Sequence, residues 1–124
     1  MDEPDPHEAY AAFQEGTRLL GDDNAHAAVI ALEHARELEP NKGSVREALA
    51  RAYYRTGRFA DAESEFRFAL EIEPSNDYAH FGVGLCRLHA GDRAGARGHL
   101  RQAAVMRPDN ADYQAALERA NDPT

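Results

Sequence analysis

The sequence predicts an all-α solenoid of three helix–turn–helix units followed by a capping helix. The first observation is a period of 34 residues, because Pro40, Pro74 and Pro108 follow one another at that spacing. The second is that apolar positions recur with the same period: Ala28, Ala62 and Ala96, then Leu32, Phe66 and Leu100, then Ala35, Ala69 and Ala103. A fixed period with a constant internal pattern is typical of helical units that stack on their neighbours.

Turn residues and prolines divide the chain into seven predicted helices. Proline lacks the amide hydrogen of a helix interior and restricts the residue before it, so each periodic proline ends a helix. The sequences GDDN at 21–24, TGR at 56–58 and GD at 91–92 predict the turns within the units. The predicted helices cover residues 8–20, 25–38, 45–55, 59–72, 78–89, 93–106 and 111–120. Residues 1–8 are expected to include a flexible acidic segment, and the end of the chain is expected to fray.

Small residues in the first helix of each unit predict close approach of two helices. Gly16, Ala50 and Gly84 stand one period apart there. The alanines of the second helices provide a matching set of small side chains. Larger side chains such as Leu19 and Tyr53 are expected to fill the volume around these contacts.

These residues resemble the tetratricopeptide repeat, a helix–turn–helix of 34 residues with small, aromatic and proline signature positions. The repeats would cover residues 9–42, 43–76 and 77–110, and residues 111–124 resemble the helix that closes such arrays. The resemblance spans nearly the whole chain, which would then form a single domain.

The sequence departs from the family pattern at several positions. The aromatic residue expected at the fourth position of each repeat is replaced by Ala12, Arg46 and His80. Asp23 stands where the family has a turn glycine, and Glu15 stands where it has leucine. Arg87 replaces a tyrosine, and it either extends its guanidinium outward along an apolar stem or pairs with an acid.

Composition restricts the partners. The net charge of −8 argues against nucleic acid or an anionic membrane as the main partner. Residues 1–42 carry 10 acidic and 3 basic side chains, so the acid is concentrated in the N-terminal part. This gradient either keeps that end solvated or orients a charged partner along the array. The sequence contains no long apolar run and begins without a signal-like segment, so the cytoplasm is the expected location.

The resemblance implies a concave groove, lined by positions 2, 5, 9 and 12 of each first helix. These positions share one helical face. The candidate binding residues at or beside such positions are Tyr10, Phe13, Thr17, Glu47, Arg51, Tyr54, Arg55, Tyr78, Phe81, Leu85, His89 and Arg119. The aromatic members either pack between neighbouring helices or form the apolar walls of a binding site. In the second interpretation, Arg51 and Arg55 make a cationic centre suited to a segment with apolar side chains and a carboxylate.

Some members of the family hold the acidic tail of large heat-shock chaperones with lysine, asparagine and arginine. The matching positions in this sequence are Phe13, Thr17, Ala48, Tyr78 and Gly82, none of which carries such a side chain. That co-chaperone role is therefore not expected.

The sequence predicts no catalytic, cofactor or metal site. No two of the six histidines are three or four residues apart, so no single helix presents two of them to a metal. Cys86 lies in a predicted helix and is expected to be a small buried side chain. The leading hypothesis is a non-enzymatic scaffold or adaptor that holds a peptide or helix. The alternatives are self-assembly through the solenoid ends and the binding part of a larger enzyme complex.

Overall fold

The structure is a computed structural model that describes residues 5–122. This part of the chain forms seven α-helices and no strand, which confirms the predicted fold class. The helices are α1 (Pro6–Gly21), α2 (Ala25–Leu38), α3 (Gly43–Arg55), α4 (Phe59–Ile72), α5 (Asp77–His89), α6 (Arg93–Met106) and α7 (Ala111–Asn121). None of them is both long enough and apolar enough to span a bilayer.

The helix boundaries follow local capping chemistry. The predicted bounds of α2, α4 and α6 are confirmed, whereas α1 begins at Pro6 rather than residue 8. The expectation of a flexible segment through residue 8 is therefore wrong for residues 6–8, and residues 1–4 lie outside the described part. The reason is that the Asp5 carboxylate accepts a hydrogen bond from the amide of His7 at 2.9 Å. Proline at the first helical position also has the backbone angle that a helix needs.

Asparagine and aspartate cap four further helices. Their side chains accept backbone N–H groups that have no partner inside the helix. These capping residues are Asn24, Asn76, Asp92 and Asn110. Capping by Asn76 accounts for the start of α5 at Asp77, one residue before the predicted bound.

The turn inside each unit needs one residue with positive φ. Gly57 and Gly91 have φ angles of 80° and 79°, where glycine has no steric cost. In the first unit the equivalent residue is Asp23, with a φ of 58°. Aspartate tolerates this left-handed region better than most residues, which explains why the turn survives without glycine.

Close contacts between small and large residues hold each unit together. A Cβ atom added to Gly16 would lie 2.4 Å from Leu32, and one added to Gly84 would lie 2.4 Å from Leu100. Leu32 and Leu100 are fully buried, as are Ala28, Ala62 and Ala96. The small residues thus allow the paired helices to approach, as the sequence pattern predicted.

The fourth position carries a polar side chain in repeats two and three and in α7. This side chain bonds the carbonyl oxygen of the preceding periodic proline. The pairs are Arg46 Nε with Pro40 at 2.8 Å, His80 Nε2 with Pro74 at 3.0 Å, and Gln114 Nε2 with Pro108 at 3.2 Å. These bonds satisfy carbonyl groups near the point where the preceding helix has ended.

Arg87 pairs with acids, which decides between the two alternatives for this residue. Its Nε lies 2.8 Å from Glu63 Oε1 on α4, and its Nη1 lies 3.2 Å from Asp92 Oδ2. The half-buried guanidinium therefore connects the second and third units. On α6, Arg93 and Arg97 donate to the carbonyl groups of Asp122 and Ala120, so these two side chains help to cap the end of α7.

Candidate functional site

The first helices of successive units form one continuous wall. The helix α3 contacts both α1 and α5, and α5 also contacts α7, in addition to the contacts between helices adjacent in the chain. Six of the twelve candidate residues lie together on this wall, around a single pocket between α3 and α5. These six residues stand at or beside the first-helix positions that share one helical face.

The pocket has a volume of about 90 Å³ and a mainly apolar lining. The residues that line it are Arg51, Tyr54, Arg55, Phe66, Tyr78, Phe81, Gly82 and Leu85. A small cavity with aromatic and aliphatic walls and a few charged groups at its edge is typical of a site for one side chain of a partner.

Two lining residues were not among the sequence-predicted site residues. They are Phe66 and Gly82. Phe66 lies on α4, the second helix of repeat two, and its ring packs against the backbone of α5 at Gly82. A Cβ atom added to Gly82 would lie 2.5 Å from that ring, so the contact requires glycine. The sequence contains one signal for this feature, since Phe66 replaces the leucine found one period before and after it.

The two arginines of the pocket are not equivalent. Arg55 Nη1 donates a hydrogen bond to the carbonyl oxygen of Leu20 at 2.8 Å and so ties α3 to the end of α1. Arg51 has no hydrogen-bond or ion-pair partner within residues 5–122. The residue as a whole is half-buried, and it lines both the apolar pocket and a wider polar depression beside it.

The carboxylates near Arg51 bind other groups. Glu47, one turn earlier on α3, accepts a hydrogen bond from Asn76 Nδ2 at 3.0 Å. Asp77 accepts one from the Tyr113 hydroxyl at 2.7 Å, and Arg107 lies 3.7 Å from the same carboxylate oxygen. These contacts hold both acids in place, and within residues 5–122 neither acid pairs with Arg51. Glu47, Asp77 and Arg51 all line a wider polar depression beside the apolar pocket.

The tyrosines of the pocket are neutral hydrogen-bonding groups at ordinary pH. Burial raises the pKa of Tyr78 above its usual value, an effect that the positive charge of Arg51 partly offsets. Burial likewise raises the pKa of Tyr54. Each side chain therefore offers a ring wall and a hydroxyl group without contributing negative charge.

The candidate residues of α1 lie apart from this pocket. Tyr10 is 59% exposed, and its hydroxyl accepts a hydrogen bond from Gln14 at 3.0 Å. Phe13 is half-buried against the main core cluster. The Thr17 hydroxyl donates to the carbonyl oxygen of Gln14, so it bonds its own helix. The α1 section thus extends the wall without contributing to the central pocket.

His89, Arg119 and Phe81 have neighbours beyond the walls of the pocket. The His89 ring stacks on Phe59 with 4.0 Å between centroids, and its Nε2 lies 2.9 Å from the Tyr54 hydroxyl. Arg119 on α7 lines a separate depression with Leu88 and Arg93. Phe81 packs against Tyr113 with ring centroids 4.7 Å apart. For Phe81, both interpretations of the aromatic residues hold, since it packs between helices and also lines the pocket.

Cysteine and the potential metal ligands are the candidates for reactive or metal-binding groups. Cys86 is buried, and burial raises its pKa to about 12, so it stays a thiol at neutral pH. No group of three or more potential metal ligands occurs within residues 5–122. His80 on α5 and His99 on α6 contact each other through their Nδ1 atoms.

The stacked helix pairs and the lined inner wall define a helical-repeat protein of the kind that binds other proteins. The tetratricopeptide repeat model matches residues 13–77 and 47–111, most of the chain. The protein belongs to the tetratricopeptide repeat family, whose members are protein-interaction modules. Among curated proteins, no sequence matches this chain at a significant level.

Solved structures of other tetratricopeptide repeat proteins share the fold at low sequence identity. One is the first tetratricopeptide repeat domain of Spaghetti (RPAP3), bound to the HSP90 peptide SRMEEVD. It is 19% identical to this chain, and the match covers 98% of this chain and 96% of that domain with a TM-score of 0.89. The Arabidopsis OM64 domain is 21% identical over 94% of this chain and 96% of its own, with a TM-score of 0.89. The Yersinia enterocolitica secretion chaperone SycD, in complex with a peptide of the translocator YopD, is 12% identical over 97% of each chain, with a TM-score of 0.85.

Proposed function

We propose that this protein is a non-enzymatic interaction module that holds a segment of a partner protein along the wall of α1, α3, α5 and α7. The observation that carries the proposal is the pocket between α3 and α5, where apolar walls lie beside the unpaired Arg51. Aromatic and arginine side chains are the usual anchors of protein interfaces. The partner segment carries apolar side chains and a carboxylate, which match the two parts of this site.

The structural neighbours support a peptide as the kind of partner, since two of them are complexes with peptides. The chemistry of this groove nevertheless differs from a polar chaperone-tail clamp. The equivalent positions carry Phe13, Thr17, Ala48, Tyr78 and Gly82. These residues favour an apolar contact over a set of amide and ammonium donors.

A peptide selection tests the proposal. A phage library of random dodecapeptides is selected on the immobilised protein, and the enriched peptides are synthesised and titrated by fluorescence polarisation. We expect binders whose affinity falls by roughly tenfold or more in the double variant Arg51→Glu/Arg55→Glu, because each substitution replaces attraction by repulsion. Circular dichroism confirms that the variant stays helical, a check made necessary by the bond from Arg55 to Leu20.

The matched control is the double variant Arg67→Glu/Arg101→Glu, which changes the net charge equally on exposed faces of α4 and α6. This control should retain the wild-type affinity. Binders that lose affinity equally in both double variants, or no enriched binder at all, would contradict the groove as the binding site.

A further inference from the structure

We infer that the pocket reads a two-residue signal within the partner: one aliphatic side chain enters the cavity, and an internal Asp or Glu close to it pairs with Arg51. The inference rests on the proposed function and specifies the partner of that site. It is carried by the cavity volume, by Arg51, which has no ion-pair partner within residues 5–122, and by the continuation of the wall to α1 and α7.

The cavity volume selects the class of apolar side chain. A protein cavity of roughly 150 Å³ holds a benzene ring. The pocket measures about 90 Å³, so a small aliphatic side chain fills it more closely than a phenylalanine or tryptophan ring would. A leucine, isoleucine, valine or methionine side chain suits it. The walls of Tyr54, Tyr78 and Leu85 provide the contacts that such a side chain needs.

The charge pattern selects the second residue. Arg51 lies at the edge of the cavity without an ion-pair partner among residues 5–122. Glu47 and Asp77 line the neighbouring depression but bond Asn76 and Tyr113 instead of Arg51. A carboxylate from outside is therefore the natural partner of Arg51, and its bond would be charge-assisted. Arg55 is secondary, because one arm of its guanidinium already donates to Leu20.

The position of the pocket favours an internal acidic side chain over a chain terminus. The pocket lies in the middle of the array, and the wall continues to α1 on one side and to α7 on the other. An extended segment can therefore pass through the site in both directions. The occupant of the pocket is therefore an extended partner segment with an internal acidic side chain. Binding of a second copy of the chain, or of a free C-terminal carboxylate, would be the alternative results of the test.

The phage selection distinguishes these occupants when the peptides are fused to the coat protein through their C-termini, because any carboxylate they carry is then internal. The enriched sequences should share a Leu, Ile, Val or Met within a few residues of an Asp or Glu. An amidated synthetic version of the strongest sequence serves as the probe for fluorescence polarisation. Replacing its acid by the amide, or its aliphatic residue by alanine or phenylalanine, should each weaken binding by roughly tenfold.

Variants of the protein assign the two contacts. Arg51→Met should weaken the acidic probe by roughly tenfold and leave the amide version unchanged, whereas Arg55→Met should cost less. Arg101→Met on the exposed face of α6 is the matched control and should have no effect. Leu85→Ala enlarges the pocket and should accept the phenylalanine probe, while Leu85→Phe reduces the pocket and should weaken every probe. If Leu85→Ala does not fold, Leu85→Phe still tests the pocket.

Three results would overturn the inference. The first is groove-dependent binders without the aliphatic and acidic pair, which would leave the proposed function standing. The second is a probe that binds only with a free C-terminal carboxylate. The third is a dimer, detected by light scattering, whose formation is prevented by the probe and by Leu85→Phe. Binders that ignore the groove variants altogether would instead contradict the proposed function itself.

Discussion

Repeats two and three fill the same two positions with different chemistry. In repeat two, Arg46 of α3 faces Glu65 of α4, with Nη1 2.8 Å from Oε2. One period later, His80 of α5 faces His99 of α6, with 3.1 Å between their Nδ1 atoms. The helices of the two repeats have matching bounds one period apart, so the same place in the fold accommodates either kind of pair.

The two pairs differ in the number of repeats that they connect and in how deeply they are buried. The side chain of Glu65 is only 4% exposed and also accepts a hydrogen bond from Arg36 of α2 at 2.5 Å, so this pair joins repeat one to repeat two. The histidine pair stays within repeat three and is partly exposed. Removing one partner of a buried ion pair leaves charge without compensation, whereas removing one imidazole loses a neutral hydrogen bond.

The largest expected effect follows from this contrast. Glu65→Ala should lower the free energy of unfolding by about 3 kcal/mol, because two arginines lose their common acceptor in a largely buried place. His99→Ala, the matched substitution in repeat three, should cost about 1 kcal/mol. Urea denaturation followed by circular dichroism measures both. Equal losses would mean that the two pairs contribute alike and that burial does not distinguish them.

The next effect tests the packing that the two repeats share. Ala62→Leu should cost about 1–3 kcal/mol, because the added atoms overpack a fully buried contact. Ala96→Leu stands at the equivalent position and should behave similarly. The melting temperature reports the change, and Ala60→Leu on the exposed face of α4 is the control. An unchanged melting temperature in Ala62→Leu would contradict the assigned packing.

A smaller effect concerns the turns. Asp23→Gly should stabilise the protein by up to about 1 kcal/mol, because Asp23 occupies the left-handed region that its equivalents fill with glycine. The converse substitution, Gly57→Asp, should destabilise by a similar amount. Thermal denaturation of the two variants measures the difference between the turn of repeat one and that of repeat two. A destabilised Asp23→Gly would show that the aspartate side chain contributes more than its backbone angle costs.

The smallest effect is a pH dependence confined to repeat three. Burial lowers the pKa of His99, with the positive charges of Arg67 and His80 acting in the same direction and Glu63 opposing them. The unfolded chain then binds this proton first, so the stability contribution is complete above a pH of about 6.5 and is lost as the pH falls toward the folded-state pKa.

The hydrogen bonds identify where His99 binds a further proton. His80 Nε2–H donates to the carbonyl oxygen of Pro74, so His80 Nδ1 accepts from His99 Nδ1–H. The further proton on His99 therefore binds at Nε2, and burial and the charge of Arg67 oppose it. Melting temperatures between about pH 8 and about pH 5 should decrease less in His99→Gln than in the wild type. Identical slopes would assign the acid sensitivity to other groups.

Much of the molecule follows from its periodic pattern. The prolines and alanines predicted the three helix pairs, because a helix boundary and a close helix contact each depend on local residue type. The early start of α1 does not follow from composition, because an acidic segment with prolines favours a loose chain, whereas here Asp5 is the cap and Pro6 the first helical residue. For the site, the family resemblance supplies the inward positions of each first helix, and their spacing places them on one face; six of the candidates line one pocket.

Other features depend on residues far apart in the chain. Arg51 and Arg55 are both basic residues of α3, and only the position of the end of α1 distinguishes them, because it provides the Leu20 carbonyl that Arg55 binds. Likewise, the pocket between α3 and α5 depends on a ring from α4 lying on a glycine of α5. The sequence by itself determined the repeating units and which residues share a helical face, since these follow from short-range periodicity. The tertiary structure decided which charges are satisfied and how large the cavity is, because both depend on distances between side chains of different helices.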